Sequence, residues 1–145
     1  MVDNGHGALA PMDSSHIGIV FGIPHEGAPL PLVDQNEGPR VPLDTDLTLR
    51  QARKTVISKA GKDMDMTESL DFARAFVAYC YATVLVPSKE IPPHVNNAIS
   101  DVGAISSYNW SQDVLDNIML AAPMVTASLA NADSVISIPG CVLFA

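Results

Sequence analysis

The chain has 145 residues, of which 48% are hydrophobic and 17% are charged, and its formal net charge is −8. This length suits one domain with one hydrophobic core, and the composition excludes an intrinsically disordered protein. The negative charge excludes a surface that binds nucleic acids or anionic membranes over its whole extent.

Residues 1–45 are predicted to form an irregular leader. They hold six of the eleven prolines and six of the nine glycines. Proline removes backbone donors, and glycine raises the entropy cost of ordering the chain. The exception is an apolar element over residues 14–24, "SSHIGIVFGIP". Its mixed spacing fits either a short helix that ends at Gly22 or a short strand.

Residues 46–62 are predicted to form a helix with both ends marked. Thr48 and Gln51 have the spacing of a capping box, and Gly61 is placed to leave the helix in a left-handed conformation. Five of the eight basic residues lie in one stretch of this segment that contains no acid. They are Arg50, Arg53, Lys54, Lys59 and Lys62.

Residues 65–87 give the strongest helix pattern, with either Asp65 and Glu68 or Thr67 alone as the cap and Pro87 as the end. Two apolar stripes cover nearly the whole surface of this helix. One stripe contains Leu70, Ala73, Val77, Cys80, Tyr81 and Val84, and the other contains Phe72, Phe76 and Tyr79. We therefore expect neighbouring elements to cover it on every side, in the middle of a helix bundle.

Two more helices are predicted downstream. Four apolar residues at spacings of four, three and three predict a short helix, which Gly103 is expected to loosen. They are Val95, Ile99, Val102 and Ile105. Ser106 or Ser107 can cap the following helix, which contains Trp110. Pro123 is expected to kink or interrupt that helix, because proline lacks an N–H and clashes with the preceding turn.

The sole tryptophan is predicted to be a core anchor rather than part of a working site. Trp110 is in helical register with Val114 and Ile118, as expected for a large core side chain whose indole N–H meets a carbonyl at the core edge. The neighbouring Asn109 and Ser111 then fit helix capping.

The C-terminal stretch "SVISIPGCVLFA", residues 134–145, is apolar and stops abruptly. A helical domain over residues 46–145 is therefore expected to be truncated at its C-terminus. Cys80 and Cys141 lie outside CxxC pairs and follow no signal peptide, which predicts reduced thiols in an intracellular protein. The longest apolar run, Phe72–Pro87, contains Arg74 and is shorter than the roughly 20 residues that span a bilayer, so no membrane span is expected.

The sequence contains no pattern typical of catalysis, cofactor binding or metal binding. GxSxG, HExxH and Rossmann glycine patterns are absent, and "GIPHEG" lacks the Lys-Ser or Lys-Thr of a P-loop. The four histidines have neither a histidine four residues away nor a nearby cysteine that would suggest zinc. We expect no enzyme, unless a pocket gathers Asp113, Asp116, His94 or Cys80.

Four segments, taken in order, share motifs with a known family. They are "FGIPHEG", "DFARAFVAYCYATVLVPSK", "AISDVGAISSYNWSQDVL" and "GCVLF", which contain the matching ranges Gly22–Gly27, Phe72–Ser88, Asp101–Trp110 and Gly140–Phe144. With these motifs the chain resembles the plant mobile domain, a family of transposon-associated proteins also labelled "aminotransferase-like". The resemblance implies an α-helical, mobile-element-derived nuclear protein and carries over no catalytic residue. A pyridoxal-binding lysine context is not recognisable.

Together these patterns predict a mainly α fold, a small irregular bundle around a central buried helix with a Pro/Gly-rich, irregular N-terminal third. The first predicted function is a non-catalytic interaction module that presents exposed apolar faces to another protein domain or to a second copy. The alternative is a nucleic-acid-binding module that uses the basic helix of residues 50–62. Neither a cofactor nor a metal nor a membrane is expected as a partner.

Overall fold

A computed structural model of the chain describes residues 2–3, 9–31 and 46–130. Within these residues the fold is mainly α, as predicted. The α-helices are α1 (Ser14–Phe21), α2 (Leu49–Lys59), α3 (Met66–Cys80), α4 (Pro93–Ser100) and α5 (Trp110–Ala130). A π-helical turn, Tyr81–Leu85, extends α3, and a 3-10 turn, Val102–Ser107, follows α4. The two short strands β1 (Val2–Asp3) and β2 (Leu9–Ala10) pair antiparallel.

The apolar element of residues 14–24 is a helix, which decides between the two alternatives. Asp13 caps α1, and Gly22 ends it in a left-handed conformation with a φ of 65°. Hydrogen bonds to Asp13, first that of the Ser15 hydroxyl, lower the pKa of the carboxyl to about 2. Because α1 packs against α5, it places the fully buried Ile17 in the core.

A helical hairpin is formed by α2 and α3, and both helices begin at the predicted capping boxes. The Gln51 amide donates to Thr48 Oγ1 at 3.2 Å, and the Glu68 amide donates to Asp65 Oδ1 at 2.8 Å. Gly61 in the connecting loop has a φ of 72°, the left-handed conformation expected at the end of α2. These local signals place the hairpin correctly because each one satisfies backbone donors that the helix itself cannot.

The long apolar helix is only partly covered by its neighbours. Ala75 and Ala78 of α3 are buried against the core, whereas Leu70 is 44% exposed and Phe76 is 47% exposed. The expectation that neighbours cover this helix on every side is therefore wrong. Phe76 of the second stripe stays at the surface, whereas Phe72 and Tyr79 are half-buried, because the short α4 and the 3-10 turn leave part of α3 open.

The short helix predicted before Trp110 is divided in two. α4 ends at Ser100, and Asp101 caps the 3-10 turn by accepting from the Gly103 amide at 2.9 Å. From α4 the buried Asn96 fixes the chain before α2: its Oδ1 accepts from the Leu47 amide at 2.9 Å, and its Nδ2 donates to the Leu47 carbonyl at 3.2 Å. A single side chain thus joins segments 49 residues apart.

α5 has one of the expected residues as its cap, and Pro123 does not interrupt it. Asn109, rather than Ser106 or Ser107, caps the helix, since its Oδ1 accepts from the Gln112 amide at 2.9 Å. The helix continues through Pro123 to Ala130 without interruption. Proline removes one hydrogen bond of the helix ladder, but the bonds on either side keep the helix continuous.

Several predictions lie outside the described residues. One is the apolar stretch of residues 134–145, which contains Cys141. Others are the truncation of the helical domain at its C-terminus and the boundary between the leader and that domain at residue 45. The core itself is formed by α1 to α5 and the π-helical turn. Its largest fully buried side chains are Tyr81, Ile17, Ile99, Val95 and Val114.

Candidate functional site

The five basic residues of segment 50–62 have different surroundings. Three are exposed on α2, share one face by their spacing, and form no ion pair with any residue that the structure describes. They are Arg50, Arg53 and Lys54. Lys59 instead donates to Glu68 Oε1 at 2.7 Å, a hydrogen bond that ties α2 to α3 and lowers the pKa of the Glu68 carboxyl. Lys62 is exposed in the loop after Gly61.

An apolar cavity of about 280 Å³ opens between the end of α3 and the 3-10 turn. Three aromatic rings form its walls: Phe76, Tyr81 and Trp110. Cys80 and Ile105 also line it. Phe76 stacks on the half-buried Phe72 with ring centroids 5.9 Å apart, so that an aromatic pair on α3 borders the cavity.

A second cavity, of about 430 Å³, lies earlier along α3 between the same two walls. α3 contributes Thr67, Leu70, Asp71 and Arg74, and the other wall consists of residues 100–103. Leu70 and Val77, one from each cavity, are separated by about 10 Å at 1.5 Å per helical residue. We call the two cavities together the α3 groove, with an apolar half at Phe76, Tyr81 and Trp110 and a polar half at Asp71 and Asp101.

A half-buried polar network with His94 and Asp113 fixes the hydroxyl of Tyr81. The Tyr81 hydroxyl donates to Asp113 Oδ2. His94 Nε2 lies 3.2 Å from Asp113 Oδ1, within ion-pair distance but without hydrogen-bond geometry. Burial first, and then the nearby Asp113 carboxylate, raise the pKa of the Tyr81 phenol. The phenol therefore stays protonated and keeps donating, so the ring that forms a wall of the apolar half is held in place.

The network brings together two of the four residues named as conditions for an enzyme. His94 and Asp113 meet, but Asp116 is exposed and accepts from Gln112 Nε2 at 2.8 Å. Cys80 lines the groove, where burial raises the pKa of its thiol and so disfavours the nucleophilic thiolate. Among the described residues these four do not form one pocket. That the chain is not an enzyme stays a prediction.

Trp110 is the predicted core anchor. The residue is 4% exposed, and its indole N–H donates to the Ile105 carbonyl at 2.7 Å. Its ring meets Tyr81 edge-on, with centroids 6.1 Å apart. The same side chain also forms a wall of the groove, a second role that the sequence analysis missed.

The described part of the chain holds no group of three or more His, Cys, Asp or Glu side chains that could bind a metal ion. In the same residues, no helix combines the length and the apolar character needed to cross a bilayer.

The α3 groove itself was not predicted. One signal was available, since Phe72, Phe76 and Cys80 recur every four residues and so share a face. The opposite wall, however, comes from residues 100–106, and no local pattern tells which side of an apolar helix such a distant segment leaves uncovered.

By fold the protein is a small, mainly α domain with an open groove along its central helix. A family model described as "Domain of unknown function (DUF8566)" matches residues 1–145, the whole chain. The chain therefore belongs to this family. The prediction of a plant mobile domain protein is wrong, because the match over the full length is to a different family, and the transposon origin inferred from it loses its support. No curated protein and no solved structure matches the chain.

Proposed function

We propose that the protein is a helical interaction module that binds a segment of a partner protein in the α3 groove. The observation that carries this proposal is the apolar half of the groove, which is lined by three aromatic rings and open to solvent at Phe76. Leaving such surface in water costs roughly 25 cal/mol for each Å² that a partner could bury. Exposed apolar surface of this kind is typical of interaction sites.

The size of the apolar half indicates the kind of ligand. Its volume of about 280 Å³ lies just below the range of about 300 to 1,000 Å³ that is usual for pockets of drug-sized molecules. One large apolar side chain, presented by a peptide or a helix, fits better. The walls are preorganised, because hydrogen bonds fix both Tyr81 and Trp110. A rigid aromatic pocket that takes one anchor side chain is the usual arrangement of an interface hot spot.

The proposal is tested with a random peptide library displayed on phage and selected against the purified chain. Selected peptides are expected to share a large apolar residue and to lose at least about tenfold in affinity for Phe76→Glu, because a carboxylate at the mouth of the apolar half must be desolvated. Binding is measured by fluorescence anisotropy with a labelled peptide.

Ile19→Glu is the matched control, because Ile19 is 77% exposed on α1 and does not line the groove. Peptides that bind wild type, Phe76→Glu and Ile19→Glu equally would refute the groove as the binding site. A library from which no binder is enriched would refute the interaction module itself.

We keep nucleic-acid binding through α2 as the second candidate function. The observation in its favour is the exposed set of Arg50, Arg53 and Lys54 on one helix face, which forms no ion pair with the part of the chain that the structure describes. Three phosphate contacts predict an affinity for duplex DNA that falls about 40-fold between 50 and 200 mM salt. Replacing all three residues by alanine is expected to abolish binding in an electrophoretic mobility assay. An unchanged affinity would reject this candidate.

An intracellular location belongs to the same proposal and is supported by the free thiol of Cys80. The nuclear location and the mobile-element origin rested on the resemblance to the plant mobile domain, and we do not carry them forward.

A further inference from the structure

We propose that the occupant of the α3 groove is the exposed face of α2 from a second copy of this chain. This inference rests on the proposed function, because it names the partner segment for the groove described above. It follows from the chemistry of the two surfaces, from the spacing of their residues, and from the direction in which α2 presents its side chains.

The exposed face of α2 combines charge with one apolar side chain. Arg50, Lys54 and Ile57 are spaced by four and three residues, so they lie along one side of the helix, with Arg53 beside them. Ile57 is 66% exposed. Arg50 and Ile57 are seven residues apart, which corresponds to about 10 Å along the helix axis.

The α3 groove has the complementary arrangement at the same spacing. Its polar half contains the exposed carboxylates of Asp71 and Asp101, together with the half-buried Arg74. On α3 its apolar half runs from Phe76 to Tyr81, which lie five and ten residues after Asp71, or about 7.5 and 15 Å along the helix. An α2 helix laid along the groove can place Ile57 in the apolar half while Arg50 and Lys54 face the carboxylates.

The chain cannot make this contact within one molecule. The inner side of α2 faces the core of its own molecule. It contains the buried Ala52 and Val56, which is half-buried against the core. The basic face therefore points away from the α3 of its own molecule, and only another copy can bring it to a groove. Face and groove are different surfaces, so the contact is heterologous and each added copy leaves a free face and a free groove.

Ile57 favours a protein partner over a nucleic acid for this face. Phosphates interact with the basic side chains but offer an exposed isoleucine no apolar surface. The α3 groove offers both carboxylates and an apolar pocket. Nucleic-acid binding by the same face is therefore the competing outcome of the experiment.

The experiment is sedimentation velocity on the full chain over a range of concentrations. The wild type is expected to show a weight-average mass that rises with concentration, and about 500 mM salt is expected to weaken this association by screening. Two variants test the charges. Arg50→Glu/Lys54→Glu makes the α2 face acidic, and Asp71→Lys makes the groove basic. Each is expected to weaken the self-association at least about tenfold, because like charges then face each other.

Mixing the two variants is the decisive arm. The acidic face of the first variant matches the basic groove of the second, and the unchanged basic face of the second matches the unchanged groove of the first. The mixture is therefore expected to assemble as the wild type does. Ile57→Ala is expected to weaken assembly, whereas Ile19→Ala, at a similarly exposed isoleucine on α1, is expected to leave it unchanged.

A wild type that stays monomeric at concentrations of about 200 μM would overturn this inference. So would a mixture that fails to assemble, or variants that assemble like the wild type. If displayed peptides still bind the groove of a monomeric wild type, only the second copy as occupant is refuted. DNA binding that Arg50→Glu/Lys54→Glu removes, with no self-association in the wild type, would assign the face to nucleic acid.

Discussion

Trp110→Ala is expected to lower the free energy of unfolding by about 3 to 5 kcal/mol, the usual cost of removing a buried tryptophan side chain. The indole fills the space between the start of α5 and Tyr81, and only 4% of it is exposed. Its loss also leaves the Ile105 carbonyl without its donor. Urea unfolding followed by far-ultraviolet circular dichroism measures the change.

Trp110→Phe separates the two contributions of the side chain. It keeps one aromatic ring in the core and removes the N–H donor with a smaller part of the volume, so a smaller loss of about 1 to 3 kcal/mol is expected. If Trp110→Ala cost less than about 1 kcal/mol, within the range of ordinary surface substitutions, the indole would not be the anchor of this core.

The sequence predicts best where a helix end is satisfied by residues close by in the chain. Thr48 with Gln51 and Asp65 with Glu68 mark the starts of α2 and α3, and Gly61 marks the end of α2. In each case side chain and backbone group lie within four residues of each other, so spacing alone is informative. Trp110 was predicted correctly for a related reason, since its helical register with Val114 is a local pattern.

The predictions that failed depend on how distant segments meet. Tyr81 and Asp113 are 32 residues apart, and their hydrogen bond has no sequence pattern. The π-helical turn that begins at Tyr81 lies at this bond, as is frequent where a helix adapts to a tertiary contact or a site. The exposure of Phe76 is of the same kind, because periodicity identifies an apolar face but does not say whether a neighbour covers it.

The mistaken resemblance has a physical explanation in two of its motifs. The turn ending at Gly27 and the segment leading to Trp110 meet in the structure: the Ala28 amide donates to the Ser107 carbonyl at 3.0 Å, and the Asn109 amide donates to the Ala28 carbonyl at 2.7 Å. Packing requires motifs that hold a loop to the start of a helix, and unrelated helical domains can contain similar motifs for the same reason. Such motifs are therefore weak indicators of family or function.

Gly27→Ala is expected to be the most destabilising of the glycine substitutions, by about 3 kcal/mol or more. Gly27 has a φ of 121°, where residues with a side chain are strained, and an added Cβ would lie 2.2 Å from the Ser107 carbonyl oxygen. Because that atom belongs to the backbone of the 3-10 turn, the clash is relieved only when the loop of Gly27 or the wall of the α3 groove moves. Thermal and urea unfolding measure the loss, and weaker binding of groove peptides is expected at temperatures where the variant is still folded.

Gly22→Ala is the matched control for this prediction. Gly22 also has a positive φ, 65°, but nothing lies within 4 Å of an added Cβ. Only the strain of the left-handed conformation should then lower the free energy of unfolding, by about 1 to 2 kcal/mol. The difference between the two variants isolates the contact of the loop with Ser107. Equal losses would show that the loop does not press on the groove wall, and that the helix ends alone position the α3 groove.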